Sequence, residues 1–428
     1  MIAPRTALIT LMTLVAGSVD LVGEDVGSTW NQWRGPNRDG KSPETNLLNK
    51  WPEGGPGLVW KAAGLGSGYA SVAVVNGTVY TLGTRQGGTH LIAINDADGT
   101  ERWSAEVGNG GQPNGTPTID TTTGLAYALN KRGDLVCIDT ADGKRKWAVN
   151  FAKDFSGKMM SGWGYSESPL VDGDRLICSP GSNNAMLAAL DKRTGKVVWQ
   201  TKVPDMGKRG RDGAGYSSVV ISNACGIKQY VQLTGRGLIG VAADDGRYLW
   251  HYERIANRTA NFPTPIVRDD YVFGSTGYAD GGSALLKLVA QGSGIEAQEV
   301  YYYKAKELQN HHGGMVRIGD YIYGGHGHNK GIPFAVEMKT GKILWQADDQ
   351  IFRKIGSAAV AYADGRLYFR YQSGDVHLIE ATPDAYKLVG SFKIPDTKKP
   401  SWPHPVINAG RLYLREQDML YVYDIKQQ

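Results

Sequence analysis

One eleven-residue pattern occurs five times in this chain: at Ala93–Trp103, Cys137–Trp147, Ala189–Trp199, Gly240–Trp250 and Ala335–Trp345. Each copy carries a glycine four residues before its tryptophan. Recurrence at this interval means that one supersecondary unit is repeated, so the chain is an array rather than a set of unrelated domains. Asp/Thr-Gly between two apolar runs predicts a tight hairpin turn, because glycine accepts the positive φ that such turns require. The tryptophan then falls on the outgoing strand, where its large surface can seal one unit against the next.

Tryptophans at 60, 103 and 147 are 43 or 44 residues apart, and those at 199 and 250 follow after 52 and 51. Two further copies have lost the tryptophan: Leu288 to Gln298 keeps Gly294 in the turn, and Leu378 to Leu388 has Pro383-Asp384 there. Four short strands fit in each interval, which is the length of a propeller blade. Leu58-Val59-Trp60-Lys61 reads as an outgoing strand with nothing before it. Leu420 to Asp424 reads as the front half of a copy where the chain ends. The two halves make one blade. The expectation is therefore an all-β, eight-bladed propeller over 58–428, closed by an N-terminal strand completing the C-terminal blade, with seven blades as the alternative. Closure removes the exposed sheet edges of an open array. Glycine supports this, at 57 of 428 residues, about twice the usual ~7%.

Residues 19–57 precede the ring and are rich in Gly, Pro and Trp. They read as an irregular strap on the propeller, or else as a segment that binds a protein partner. Arg5, the apolar run 7–15 and Ala16-Gly17-Ser18 resemble a secretory signal over 1–18. That run is too short for a transmembrane anchor, so the chain is expected to be exported, periplasmic or extracellular, and monomeric. Cys137, Cys178 and Cys225 lie in different repeats and read as structural thiols. The net charge of +5 is spread without a basic block, which argues against nucleic acid as a partner.

The pattern Ala-x-Asp-x-x-Thr-Gly-Lys-x-x-Trp, best kept at Ala189–Trp199, resembles the tryptophan-docking repeat of the pyrroloquinoline quinone (PQQ)-like propellers. That family includes quinoprotein alcohol dehydrogenases and outer-membrane assembly factor B-like scaffolds. The resemblance covers roughly residues 58–425, and one fold of this kind hosts unrelated activities. It implies two alternatives, a PQQ-dependent oxidoreductase and a scaffold whose mouth loops bind proteins.

In a propeller, one mouth of the channel is lined by the loops between blades and the loop between each blade's second and third strands. The repeat register places Tyr69, Trp163, Tyr165, Glu167, Tyr216, Asn261, Lys354, Trp402 and His404 there. Two long interblade loops, 148–165 and 200–215, add Arg209, Arg211 and Asp212 as a wall. The densest group is His311, His312, His326 and His328 in the sixth blade, four of eight histidines in the chain. His326 and His328 are two apart, so extended backbone would point them the same way. With Tyr165 and Glu167 they are candidates for acid–base work near neutral pH, and His312, His326 and His328 for a transition metal. Tyr69, Trp163, Arg209, Arg211, Asp212, Tyr216, Asn261, Lys354, Trp402 and His404 are candidates for binding a small polyhydroxylated ligand, a sugar or alcohol. Arg236, Arg370 and Arg415 near inner-strand loops read as surface cations, with a place facing the mouth as the alternative.

A quinone with calcium would need cations, aromatic faces and oxygen ligands. Trp163, Arg209, Arg211, Lys354, Glu167 and Asn261 are of those types. The chain departs from the quinoprotein alcohol dehydrogenases in having no adjacent cysteines and no Cys-x-x-Cys-His haem site. The mouth is thus read as a ligand site or active site, with a quinoprotein-like dehydrogenase, a His/Tyr lyase or hydrolase, and a non-catalytic scaffold all open.

Overall fold

A computed structural model describes residues 1, 29–292, 294–397 and 401–427. The candidate signal over 1–18 lies, apart from Met1, outside the described residues. Eight four-stranded antiparallel sheets form the ring. The first seven blades span 73–108, 118–150, 170–200, 220–252, 266–304, 310–346 and 358–393. The eighth takes three strands from 406–424, and its outer strand is Gly57–Ala62, which pairs antiparallel with Met419–Asp424. Eight apolar clusters each straddle one blade-to-blade interface, including that between the eighth and first blades, where Trp60, Val422 and Tyr413 meet Val79 and Ile92.

The repeat has a direct physical cause. The glycine of each of the first four copies receives the tryptophan of the preceding blade. A Cβ on Gly99 would come within 2.7 Å of the Trp60 ring, on Gly143 within 2.9 Å of Trp103, and on Gly195 within 2.8 Å of Trp147. All three glycines also hold positive φ, so turn geometry and docking select the same residue. The indole N–H then donates to a backbone carbonyl of the next blade: Trp60 to Asp96 (2.8 Å), Trp103 to Thr140 (3.1 Å), Trp147 to Lys192 (3.1 Å) and Trp345 to Thr382 (2.9 Å). Two differ: Trp199 Nε1 is buried without a partner, and Trp250 donates to Gln229 Oε1 of its own blade across Gly240.

Two blades correct the sequence register. In the fifth, Leu285 pairs with Tyr301 just before the strand bulge, as Ala335 pairs with Trp345 in the sixth. Tyr301 therefore stands in the docking place expected at Gln298. Its ring lies against Gly341 and its hydroxyl donates to Met338 O at 2.7 Å. In the seventh, Leu378 pairs with Gly390, and the space that a docking ring would fill is taken by Trp51 from the strap.

The strap is not an external wrap along its whole length. Trp30 pairs with Val74, Asn31 with Ile119, and Gly40 and Ser42 with Tyr362. Trp33 Nε1 donates to Thr264 Oγ1, Arg34 to Met315 O, and Arg38 to Ser168 O and Pro169 O. A segment bonded at the inner strands of six blades lies across the hub, and residues 30–42 plug the channel. The chain then leaves along the eighth blade, where Leu48 donates to Ile425 O, and reaches Trp51.

Arg370 and Arg415 are not surface cations. Both are about 1% exposed. Arg370 pairs with buried Glu416 and donates to Ser401 O, while Arg415 bonds Thr81 Oγ1 and Gly66 O. Arg236 does sit at the surface edge, paired with Asp212 at 2.7 Å. The three cysteines are free thiols.

Candidate functional site

The sixth blade opens with a distortion that builds the site. Asn310 pairs with His326, but the next paired residue is Met315, opposite Gly324. Residues 311–314 therefore bulge out of the sheet. Gly313 allows this because its Cα lies against Ala358 O, where a Cβ could not fit, and Gly314 adds a φ of 63°. The bulge lifts His311 and His312 to the channel mouth, with ring centroids 3.5 Å apart. His328 joins them at 4.2 Å from His311.

His326 does not join. Gly327, at φ 87°, turns the chain between His326 and His328, so the shared direction expected from extended backbone is lost. His326 instead accepts from the Gln309 N–H through Nδ1, at 3.2 Å. Among the described residues no group of three or more His, Cys, Asp or Glu side chains is arranged to hold a metal ion.

Aromatic rings surround the three imidazoles. Phe262 meets His312 edge-on at 4.6 Å, Tyr278 meets His311 at 5.0 Å, and Trp402 lies 5.0 Å from His312. Tyr69 packs on Trp402, Tyr216 stacks on Phe262, and the plug residue Trp33 packs on His404 beneath. Trp163 stands at the rim, 56% exposed, with Asn114 donating to its carbonyl. Together with Asn329, Gln372 and Ser166 these residues enclose a cleft of about 300 Å³.

A hydrogen-bond relay sets the polarity of this cleft. Ser357 Oγ donates its one proton to Asn329 Oδ1 (3.3 Å), so His311 Nδ1, 3.1 Å from the same oxygen, must be the donor there. The free Nε2 of His311 is then an acceptor. Asn329 Nδ2 donates to His328 Nε2 at 3.3 Å, which leaves the His328 proton on Nδ1. Burial pushes His311 down to about 2 and His312 to about 3, and the neighbouring imidazoles add to both shifts. Burial also holds His404 well below the usual range. These rings are neutral at physiological pH. His311 Nε2, His312 Nδ1 and His404 Nδ1 are buried and have no protein partner.

Of the other residues picked from sequence, Tyr69, Trp163, Tyr216, Trp402 and His404 line the cleft and the rest lie outside it. Tyr165 is buried and donates to Pro180 O at 2.9 Å. Glu167 is buried behind the wall and accepts from Ser179 N at 2.6 Å, with burial pushing its carboxyl up to about 7. Asn261 is a structural amide bonded to Thr234 O and Asn257 N. Arg209 donates to Asp280 O, Asp212 pairs with Arg236, and Arg211 and Lys354 are exposed on the rim. Trp33, Tyr278 and Gln372 line the cleft and were missed. Tyr278 occupies the fifth-blade loop equivalent to Gly324–Asn329, a position hidden by the slipped register. Gln372 is on the matching loop of the seventh blade.

The donor set does not fit a quinone tricarboxylate with calcium. No Lys, Arg, Asp or Glu lines the cleft, whereas such a cofactor needs cations for its carboxylates and oxygen ligands for its ion. A transition metal fares no better, since His326 is turned away.

The family model for outer membrane protein assembly factor BamB matches residues 113–347. BamB of Salmonella typhimurium is 30% identical over 109 residues, and BamB of Escherichia coli K12 is 31% identical over 111. Each match covers 24% of this chain and 26% of the relative, so the chain matches about a quarter of the length of these curated relatives. Among solved structures, BamB from Moraxella catarrhalis superposes with a TM-score of 0.60 at 16% identity, over 84% of this chain and 95% of that one. The quinohemoprotein alcohol dehydrogenase of Comamonas testosteroni gives 0.62 at 13%, over 94% and 81%. A europium-containing methanol dehydrogenase gives 0.64 at 12%, over 91% and 89%. At such identities the likeness is one of fold.

Proposed function

The chain belongs to the PQQ-like propeller family represented by outer membrane protein assembly factor BamB, and from that starting point we propose that it binds a small, uncharged, polyhydroxylated ligand of the sugar or polyol type at its histidine-rich mouth. The observation that carries this reading is the set of His311, His312 and His404, neutral imidazoles each with one buried, unpartnered nitrogen, framed by aromatic rings and by no charged side chain. Hydroxyl groups both donate and accept, so they satisfy such nitrogens. The C–H faces of a sugar ring pack on Trp and Tyr, in the usual mix of apolar walls and a few fixed polar groups.

Neutral imidazoles held near 2 or 3 are weak bases, so the geometry supports recognition by His311 and His312 more than proton abstraction. The uncharged donor set likewise does not favour the quinoprotein-like dehydrogenase. The match to an assembly factor and the exposure of Trp163 at the rim favour a second reading, in which mouth loops dock a protein. The apolar run 7–15 supports export, and no helix among the described residues is long and apolar enough to cross a membrane.

The test is calorimetric titration with neutral mono- and disaccharides and polyols. We expect saturable binding that weakens roughly tenfold or more, about 1.4 kcal/mol, in His312→Ala and Trp402→Ala. No binding by any member of the panel, or binding indifferent to both substitutions, would overturn the reading.

A further inference from the structure

The plug divides the channel into two compartments. Beyond it, at the end opposite the cleft, lies a second chamber of about 360 Å³. Its walls are aliphatic, from inner-strand residues of the third to sixth blades such as Val171, Val220, Ile266 and Val267. The face that the plug and the sixth blade present to it is cationic: Arg34, Arg38, Lys41 and Arg317 line the chamber, with Asp39 as the one carboxylate. Asp39 is paired with Lys41 at 2.8 Å and its field also reaches Arg34 and Arg317, so one carboxylate is shared among three of the four cations.

Arg34 and Arg38 are each 4% exposed. Among the described residues neither forms an ion pair. Backbone carbonyls and the Gln32 amide take several of their N–H groups, but dipoles leave the net charge in place. Arg34 Nη1, which lies against Gly314 on the cleft side of the plug, and Arg38 Nε are buried with no partner. Glu167 is the carboxylate whose field reaches Arg38, and burial pushes it up to about 7, so it compensates incompletely. Arg317 is half-buried and donates to Gly319 O; Arg268 opposes its charge, while Asp39, Asp269 and Asp320 offset part of that. Uncompensated buried charge is expensive, and a chamber that gathers three guanidinium groups against aliphatic walls has the chemistry of an anion site.

We propose that this chamber binds a small aliphatic carboxylate, its charge facing Arg34, Arg38 and Arg317 and its carbon chain against the inner-strand valines and Ile266. The site is separate from the cleft and does not depend on what the cleft binds.

The experiment is titration of the full chain at low ionic strength with succinate and butyrate, with 1,4-butanediol and sulfate as comparators. Expected are saturable binding of both carboxylates, succinate more tightly, a matching rise in thermal midpoint, and no binding of the diol. Arg317→Gln removes one charge without touching the plug and should weaken succinate roughly tenfold. Lys354→Ala removes a charge at the far mouth and should leave it unchanged. No succinate binding, sulfate binding as tight as succinate, or equal binding in Arg317→Gln would each overturn the proposal.

Discussion

Trp51 lies edge-on to Tyr368 with ring centroids 5.7 Å apart. The same pairing recurs within blades as Tyr80 with Trp103, Tyr127 with Trp147 and Tyr323 with Trp345, each at 6.0 Å. Tyr368 pairs with Leu378 as Tyr323 pairs with Ala335, so it holds the equivalent place in the seventh blade. That blade has Gly390 where the others have an aromatic ring, and a Cβ there would sit 2.8 Å from Trp51 Cβ. The strap thus supplies in cis the docking ring that the blade lacks.

Trp51→Ala should therefore cost as much as loss of a docking tryptophan from the repeat itself, about 3–5 kcal/mol. Chemical denaturation of Trp51→Ala beside Trp345→Ala checks this. A loss well below that of Trp345→Ala would mean that the strap only rests on the ring.

Tyr301 replaces a tryptophan and keeps its hydrogen bond to the next blade. Tyr301→Phe should lose about 0.5–1.5 kcal/mol for that bond, and Tyr301→Ala about 3–5 kcal/mol for the ring and its cavity. The difference between the two variants in denaturant midpoint separates bond from packing.

These two residues mark where sequence reading succeeds and where it stops. The Gly-x-x-x-Trp spacing carries blade number because turn and docking are local and recur in each unit. Tyr301 escapes because the fifth-blade hairpin is longer, so a fixed spacing lands on Gln298. Trp51 and the plug escape because their partners are far along the chain and follow no period. At the mouth, His311, His312 and His328 were legible from the crowding of histidine on two loops of one blade. His326 was misplaced because one left-handed glycine, Gly327, reverses what a strand rule gives. Trp33 could not be placed without knowing that the strap enters the channel.

Arg370 and Glu416 form an ion pair with both side chains almost wholly buried, and burial opposes the charge on each. Arg370→Met should cost about 3–5 kcal/mol, because it leaves Glu416 buried without its partner. Adding Glu416→Leu should restore part of that loss. A double variant no more stable than the single one in thermal denaturation would contradict this account.

Acid should destabilise the molecule earlier than its carboxylates alone would require. The unfolded chain takes protons on histidine below about pH 6.5, whereas folded His311 and His312 refuse them until about 2 and 3. Their contribution is complete above pH 6.5 and is lost progressively as pH falls toward those values. Glu167 acts in the opposite sense: held at about 7, it contributes below its unfolded value near 4.5 and loses that contribution as pH rises through 7. Between pH 6.5 and 4.5 the imidazoles outnumber it, so stability should fall with pH, each imidazole giving up to about 1.4 kcal/mol per pH unit. Denaturation midpoints across that range should show a shallower slope in the His311→Asn, His312→Asn double variant. An unaltered slope would contradict the assignment.

The plug also dictates an order of events. Residues 30–42 leave the ribosome before every blade, yet their hydrogen bonds are to Ile119, Ser168, Thr264, Met315 and Tyr362. Trp30 finds Val74 in the first blade, but the rest of the segment must wait for nearly the whole chain before its partners are complete. Contacts of such long sequence separation are slow to form. Trp33, the floor of the cleft, travels with that piece. A nascent or half-assembled chain accordingly has the histidines but no pocket, and the cleft is complete only when the hub is seated.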